Sequence, residues 1–245
     1  MSISVRPRRS APAGLAIGVL LTAALSGCGS SSSAETSAAA PAPTVQEAAA
    51  APTPVVEPRI AAPEVTPLPA GTEAEQVFGR DAAQGAYDAA VAFAAGNSFR
   101  EPVLRFTDAL TVDDFAVTGV SDDFAADWRS SVEAALASPD EDEAIWRNTV
   151  LPVMYSFEFG DDQWLATGPL VTDFRITDPQ ATVDQSRIAL SYREEGTVHA
   201  LSDGRPAHVD LTKDVTLWLE VGPDGGWVVD GSTASWDPSG LLIDG

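Results

Sequence analysis

From residue 72 onward the apolar positions of this 245-residue chain recur first at helical and then at strand spacing. Thr72-Glu73-Ala74-Glu75 has the form of a capping box, in which Thr72 accepts from the Glu75 N–H and Glu75 reaches back. Phe78, Ala82, Ala86 (or Gly85), Ala89 and Phe93 follow as a stripe, with Tyr87 and Val91 beside it, and Gly96-Asn97 closes the helix. Thr111-Val112-Asp113-Asp114 opens a second, shorter helix before Phe115. Ser121-Asp122-Asp123 opens a third helix, with Phe124, Trp128, Val132 and Leu136 at i, i+4 and a stop at Ser138-Pro139. Asp140-Glu141-Asp142-Glu143 reads as a solvated acidic loop or first helical turn, and it lacks the alternating oxygen ligands and glycine of a calcium loop.

After Trp146 the period becomes two. Val153, Tyr155, Phe157 and Phe159 alternate with polar positions, and Pro152 suggests an edge strand. Leu170, Thr172, Phe174 and Ile176 form the next strand, which Asp178-Pro179 breaks. Ser186 to Val221 reads as one long hairpin about Asp203-Gly204, a dipeptide suited to two successive positive φ angles. A two-residue turn there pairs residues whose numbers sum to 407. That register sets Arg187 against Glu220, Arg193 against Asp214, Glu194 against Lys213, Ile188 against Leu219 and Leu190 against Leu217. Three opposite-charge pairs and two aliphatic pairs from one register support it, each adding ~0.2–1 kcal/mol. A turn at Gly222-Pro223-Asp224-Gly225-Gly226 leads into a last strand with Trp227 and Val229 on one side and Val228 on the other. Ser239-Gly240-Leu241-Leu242-Ile243 is a short apolar tail.

Helices followed by about five antiparallel strands give an α+β order, with the helices covering the apolar face of the sheet. The layout, with the closing Asp224-Gly225-Gly226-Trp227-Val228-Val229-Asp230, resembles the curved, cone-like α+β roll of the nuclear transport factor two-like (SnoaL-like) superfamily, over about Thr72 to Asp237. It is most similar to the non-catalytic versions that actinobacteria attach to membrane anchors.

The first 71 residues differ in kind. Arg6, Arg8 and Arg9 precede an apolar run, Gly14 to Leu25, which is shorter than the ~20 residues a bilayer span needs. The run exits into Leu25-Ser26-Gly27-Cys28, which contains the only cysteine. That exit resembles the lipobox of bacterial lipoprotein precursors. The resemblance implies cleavage between Gly27 and Cys28 and a diacylglyceryl thioether on Cys28, hence a lipid-anchored protein on the extracytoplasmic face of the cell membrane. Each buried acyl methylene adds ~0.8 kcal/mol of membrane affinity. Gly29 to Gly71 holds eight of the 18 prolines and no aromatic residue, so it cannot bury enough apolar surface to offset its ordering entropy. It reads as a disordered tether between the leader (1–27) and the domain (72–237), with 238–245 as a tail.

The chain carries −22, and loss of the leader leaves 11 basic against 36 acidic residues, a net −25. Such a surface argues against nucleic acid and anionic lipid as partners. A lone cysteine excludes an intramolecular disulfide. His199 and His208, the only histidines, fall opposite each other in the 407 register, where two imidazoles can share zinc or copper, with Asp210 the nearest third ligand. Catalytic members of the roll superfamily use an Asp or His base and a Tyr or Asp to stabilise an enolate. The candidates here are Tyr155, Tyr192, Asp173 and Asp230, none within a recognisable motif. No nucleophile elbow or phosphate loop occurs. The sequence therefore leads to a non-catalytic module that meets an envelope protein or a small apolar ligand, with no cofactor. An isomerase- or cyclase-like enzyme, or a metal-binding lipoprotein, is the alternative.

Overall fold

A computed structural model describes residues 58–107, 109–137, 150–157, 162–238 and 242–243. The leader, Gly27, Cys28, the tether up to residue 57, the Ser138-Pro139 stop, the Asp140–Glu143 loop and Phe159 lie outside the described residues. No helix among the described residues is long and apolar enough to cross a membrane.

The expected first helix is two. Thr72 Oγ1 accepts from Glu75 N at 3.2 Å, but the Glu75 carboxylate takes the N–H of Gly71, at 2.8 Å, not that of Thr72. The first helix, α1 (Glu73–Phe78), ends at Gly79, whose φ of 89° lies outside the helical range, and α2 (Arg80–Asn97) restarts there. The break rotates the buried stripe of α2 to Ala83, Ala86, Tyr87, Ala90, Phe93, Ala94 and Asn97. A short α3 (Glu101–Leu104) follows, and the expected start at Thr111 becomes a 3-10 turn (Val112–Phe115) with a capping box between Thr111 and Asp114. In α4 (Asp122–Ala137), Ser121 Oγ caps the N-terminus by accepting from Phe124 N at 3.1 Å, and Trp128 and Val132 are buried.

The sheet is mixed and has about seven strands, not five antiparallel ones. They are β1 (Glu64–Val65), β2 (Gln163–Leu165), β3 (Val171–Asp184), β4 (Arg187–Ser202), β5 (Arg205–Val221), β6 (Trp227–Pro238) and β7 (Leu242–Ile243). The main order is β1-β3-β4-β5-β6, with β1 parallel to β3, while β2 adds to β4 and β7 to β5. Within residues 58–71, expected to belong to the tether, Ile60 and Glu64–Val65 instead join the sheet. Ile60 bridges Val171, β1 pairs with Arg175 and Ile176, and Thr66 O accepts from Tyr87 Oη at 2.5 Å. Long-range backbone pairing offsets an ordering cost that the local composition cannot.

The expected strand through Val153, Tyr155 and Phe157 does not form. Val150–Val153 makes a turn, and the N–H groups of Tyr155 and Phe157 go to the carbonyls of Ser98 and Leu104. Asp178-Pro179 does not end β3. It is one of two bulges there, at Asp173 and Asp178, both with φ near +53°. A bulge keeps the strand going because proline's missing donor falls outside the ladder.

The central hairpin runs in the expected register without interruption from Ile188↔Leu219 to Ser202↔Arg205, through Gly196. Asp203 and Gly204 both have positive φ, 51° and 72°. Arg187 forms its ion pairs with Asp184 and Asp230, at 3.4 and 3.1 Å, and not with Glu220. The helices cover one face of the sheet, where Ile188, Leu190, Val198, Leu211, Leu217 and Leu219 join Phe93, Phe99, Phe115 and Trp128 in one core.

Candidate functional site

Side chains alternate across a strand, so even positions of β4 and odd positions of β5 point into the core. Glu194 and Lys213 obey that parity. They lie opposite each other in the hairpin, and each side chain is only 1% exposed. Lys213 Nζ lies 2.9 Å from Glu194 Oε2, an ion-pair distance, although the approach is not aligned as a hydrogen bond. Ser98 Oγ, at the end of α2, donates to Glu194 Oε1 at 2.9 Å.

Aromatic rings close the other sides. Lys213 Nζ sits 4.4 Å from the centroid of the Tyr155 ring, a cation–π contact in a desolvated setting. Tyr155 stacks on Phe99, centroids 4.6 Å apart, and Phe99 meets Phe174 edge-on at 4.9 Å. Phe99 reaches this place because Gly196 has no side chain: a Cβ there would stand 3.0 Å from Phe99 Cζ.

Burial pushes the phenols of Tyr155 and Tyr192 well above 10, and the nearby Glu194 carboxylate pushes both further. Tyr155 Oη, Ser156 Oγ, Tyr192 Oη and Glu194 Oε2 are buried without an aligned partner among the described residues. A buried hydroxyl left without any partner costs about 1–3 kcal/mol, whereas the Lys213 ammonium 2.9 Å away offsets that cost at Glu194 Oε2. The interior therefore holds one matched charge pair and a set of under-satisfied oxygens. With both members of the pair 1% exposed, a solute does not reach it in this conformation.

The outer face of the same sheet is polar and carries an open groove of about 830 Å³. Ser191, Arg193, Asp214, Thr216, Thr233 and Ser235 form its floor, and Thr66, Pro67, Pro69 and Asp178–Gln180 form a wall. Arg193 grips Asp214 through Nε at 2.8 Å and Nη2 at 3.4 Å, and the hydroxyls of Ser191 and Thr216 are 2.8 Å apart. The floor thus presents hydroxyls and an internally neutralised ion pair.

Of the residues the sequence singled out, Tyr155 and Tyr192 do share a neighbourhood, around Glu194. Asp173 does not: it is the exposed bulge residue of β3. Asp230 sits at the opposite end of the hairpin, at the β6 bulge, where it accepts from Ser121 Oγ at 2.9 Å and pairs with Arg187. His199 and His208 face each other as expected, on the outer face. His199 Nε2 lies 2.8 Å from Thr172 Oγ1, and His208 Nε2 lies 3.8 Å from Asp210 Oδ2. No group of three or more His, Cys, Asp or Glu side chains among the described residues could hold a metal ion. Sequence reasoning read Glu194–Lys213 as one more cross-strand charge pair. The parity shared with Val198 and Val209 was the available sign that this pair faces the core.

No protein-family model, curated protein or solved structure matches this chain.

Proposed function

We propose that the protein is a lipoprotein, anchored through Cys28 on the extracytoplasmic face of the cell membrane, which displays an α+β roll as a binding module. The placement of the ionisable groups carries the reading. Glu194 and Lys213, which could serve acid–base chemistry, neutralise each other where no solute reaches them, while an open groove of about 830 Å³ lies on the other face of the sheet. Helices over one face of a mixed sheet support the roll resemblance. Partner contact then falls to the hydroxyl-lined groove, with an envelope protein as its occupant.

The interior oxygens of Tyr155, Tyr192 and Glu194 favour a second reading, an isomerase- or cyclase-like enzyme whose interior opens to admit substrate. Amide exchange separates the two. Slow exchange along Tyr192–Gly196 supports the sealed binding module, and exchange approaching that of exposed loops supports the enzyme.

The direct test uses intact cells. Wild type is expected to take up a fatty-acid label and to pellet with membranes, and Cys28→Ala to lose both; a Cys28→Ala protein that still pellets overturns the anchor. A photocrosslinker at Thr216 is expected to give discrete adducts that the same group at exposed Val77 does not. Equal adducts from both positions overturn the groove.

A further inference from the structure

Three of the five large apolar side chains that the described residues leave exposed gather at one end of the sheet: Trp164 (43%), Leu242 (42%) and Ile243 (47%). The backbone register explains the grouping. At the tip of the central hairpin, β2 pairs with β4 and β7 pairs with β5, so four short strand ends lie side by side. Trp164 stands against Leu201, and Leu201 against Pro206. Leu242 stands against His208 two positions along β5 from Pro206. Exposed Trp beside aliphatic residues is the composition of a membrane-interface contact.

The path of the chain says which surface this end meets. The segment that follows Cys28 enters the domain at Arg59. Arg59 donates from Nη2 to Ala166 O at 2.8 Å and from Nε to Gly168 O at 3.3 Å, and its own carbonyl accepts from Leu170 and Val171. Entry is therefore immediately beyond β2, two residues from Trp164. From there the chain runs parallel to β3, away from the hairpin tip, through β1. A tether running from Cys28 would therefore reach the domain at its apolar end.

We infer that this end of the sheet, with Trp164 and Leu242 on its outer face and Ile243 on the opposite face, rests edge-on on the lipid surface of the membrane that carries the anchor; the inference depends on the anchor proposed above. The 29 residues between Cys28 and Pro58 have a root-mean-square reach of about 30 Å if flexible, which keeps the patch at high effective concentration over the bilayer. A contact too weak to recruit a free protein is then enough to orient a tethered one. The processed chain's net charge of −25 keeps its other faces away from anionic headgroups, so zwitterionic lipid is the matching surface.

The test uses full-length processed protein, purified with its lipid and reconstituted into phosphatidylcholine vesicles containing nitroxide-labelled lipid. Wild type should show a quenched component of its tryptophan emission. Trp164→Phe should lose that component although five tryptophans remain. Leu242→Asp, at an exposed position that leaves the fold intact by circular dichroism, should reduce it with Trp164 still present. Vesicle-bound protein in which wild type and Trp164→Phe quench equally overturns the inference while the anchor stands, and leaves a protein partner as the occupant of this end. Protein with no fatty acid on Cys28 and no vesicle association overturns both.

Discussion

Glu194 and Lys213 meet 2.9 Å apart across the two central strands, both withdrawn from water. Taking two charges out of water costs more than their attraction returns unless further polar groups help, and here Ser98 and the Tyr155 ring do so. Removing one partner strands the other. Lys213→Met is expected to lose about 3–5 kcal/mol in urea unfolding. The double variant Glu194→Leu with Lys213→Met should recover most of that loss, retaining a deficit of about 1–2 kcal/mol from the orphaned Ser98 hydroxyl. Additive losses in the double variant would show that the two side chains do not act as a pair.

All three tyrosines of the protein have raised phenol pKa values. Tyr87 is pushed up to about 12, first by burial and then by Asp88, while Tyr155 and Tyr192 are held well above 10 by burial and Glu194. The folded state keeps these protons after the unfolded chain has lost them, so their contribution is complete below pH ~10 and is lost as pH rises beyond it. Each withheld tyrosine tilts stability by up to about 1.4 kcal/mol per pH unit there. Absorbance at 295 nm should stay free of tyrosinate at pH 10 and rise together with loss of the fold. A three-tyrosine transition near pH 10 with intact circular dichroism would mean that solvent reaches the interior.

What the sequence disclosed follows the range of the interactions. The hairpin was legible because Asp203-Gly204 fixes its turn locally and the residues on either side then check one another. The capping residues Thr72, Thr111 and Ser121 were legible for the same reason. β1, β2 and β7 were not, since strands of two or three residues exist only because β3, β4 or β5 offers a free edge. The alternation at Val153–Phe157 misled because those N–H groups find carbonyls at Ser98 and Leu104 before they find a strand. The interior pair was written in the parity of β4 and β5, but Arg193–Asp214, one position away, has the same chemistry and faces solvent. Only the faces differ, and the helices decide which face is covered.

Gly196 is the position where the sheet makes room for the ring stack. A methyl group there would meet Phe99 Cζ at 3.0 Å, and Phe99 is wedged between Tyr155 and Phe174. Gly196→Ala should therefore displace the stack that lies over Lys213 and cost about 1–3 kcal/mol in chemical denaturation, despite alanine's better strand propensity. Near-ultraviolet circular dichroism should weaken while the far-ultraviolet signal persists. A neutral or stabilising outcome would show that the ring has room to move.

Glu220 lies near the Arg187–Asp230 pair without joining it. Its pKa is raised, chiefly by burial and then by repulsion from Asp230 and Asp123, with Arg187 opposing. A carboxyl whose folded-state pKa lies above its unfolded value opposes folding while ionised. The wild type is therefore penalised at neutral pH and relieved as pH falls through the folded pKa. Glu220→Gln removes that charge at every pH. It should stabilise the protein at pH 7 by less than about 1 kcal/mol, as expected for a partly solvated group. The advantage should shrink to nothing near pH 4, where the wild-type side chain is itself protonated. Thermal unfolding of both proteins between pH 4 and 8 checks the sign. An advantage that grows on acidification would mean that Glu220 is held charged by Arg187, with the hairpin register extended to the Arg187↔Glu220 pair.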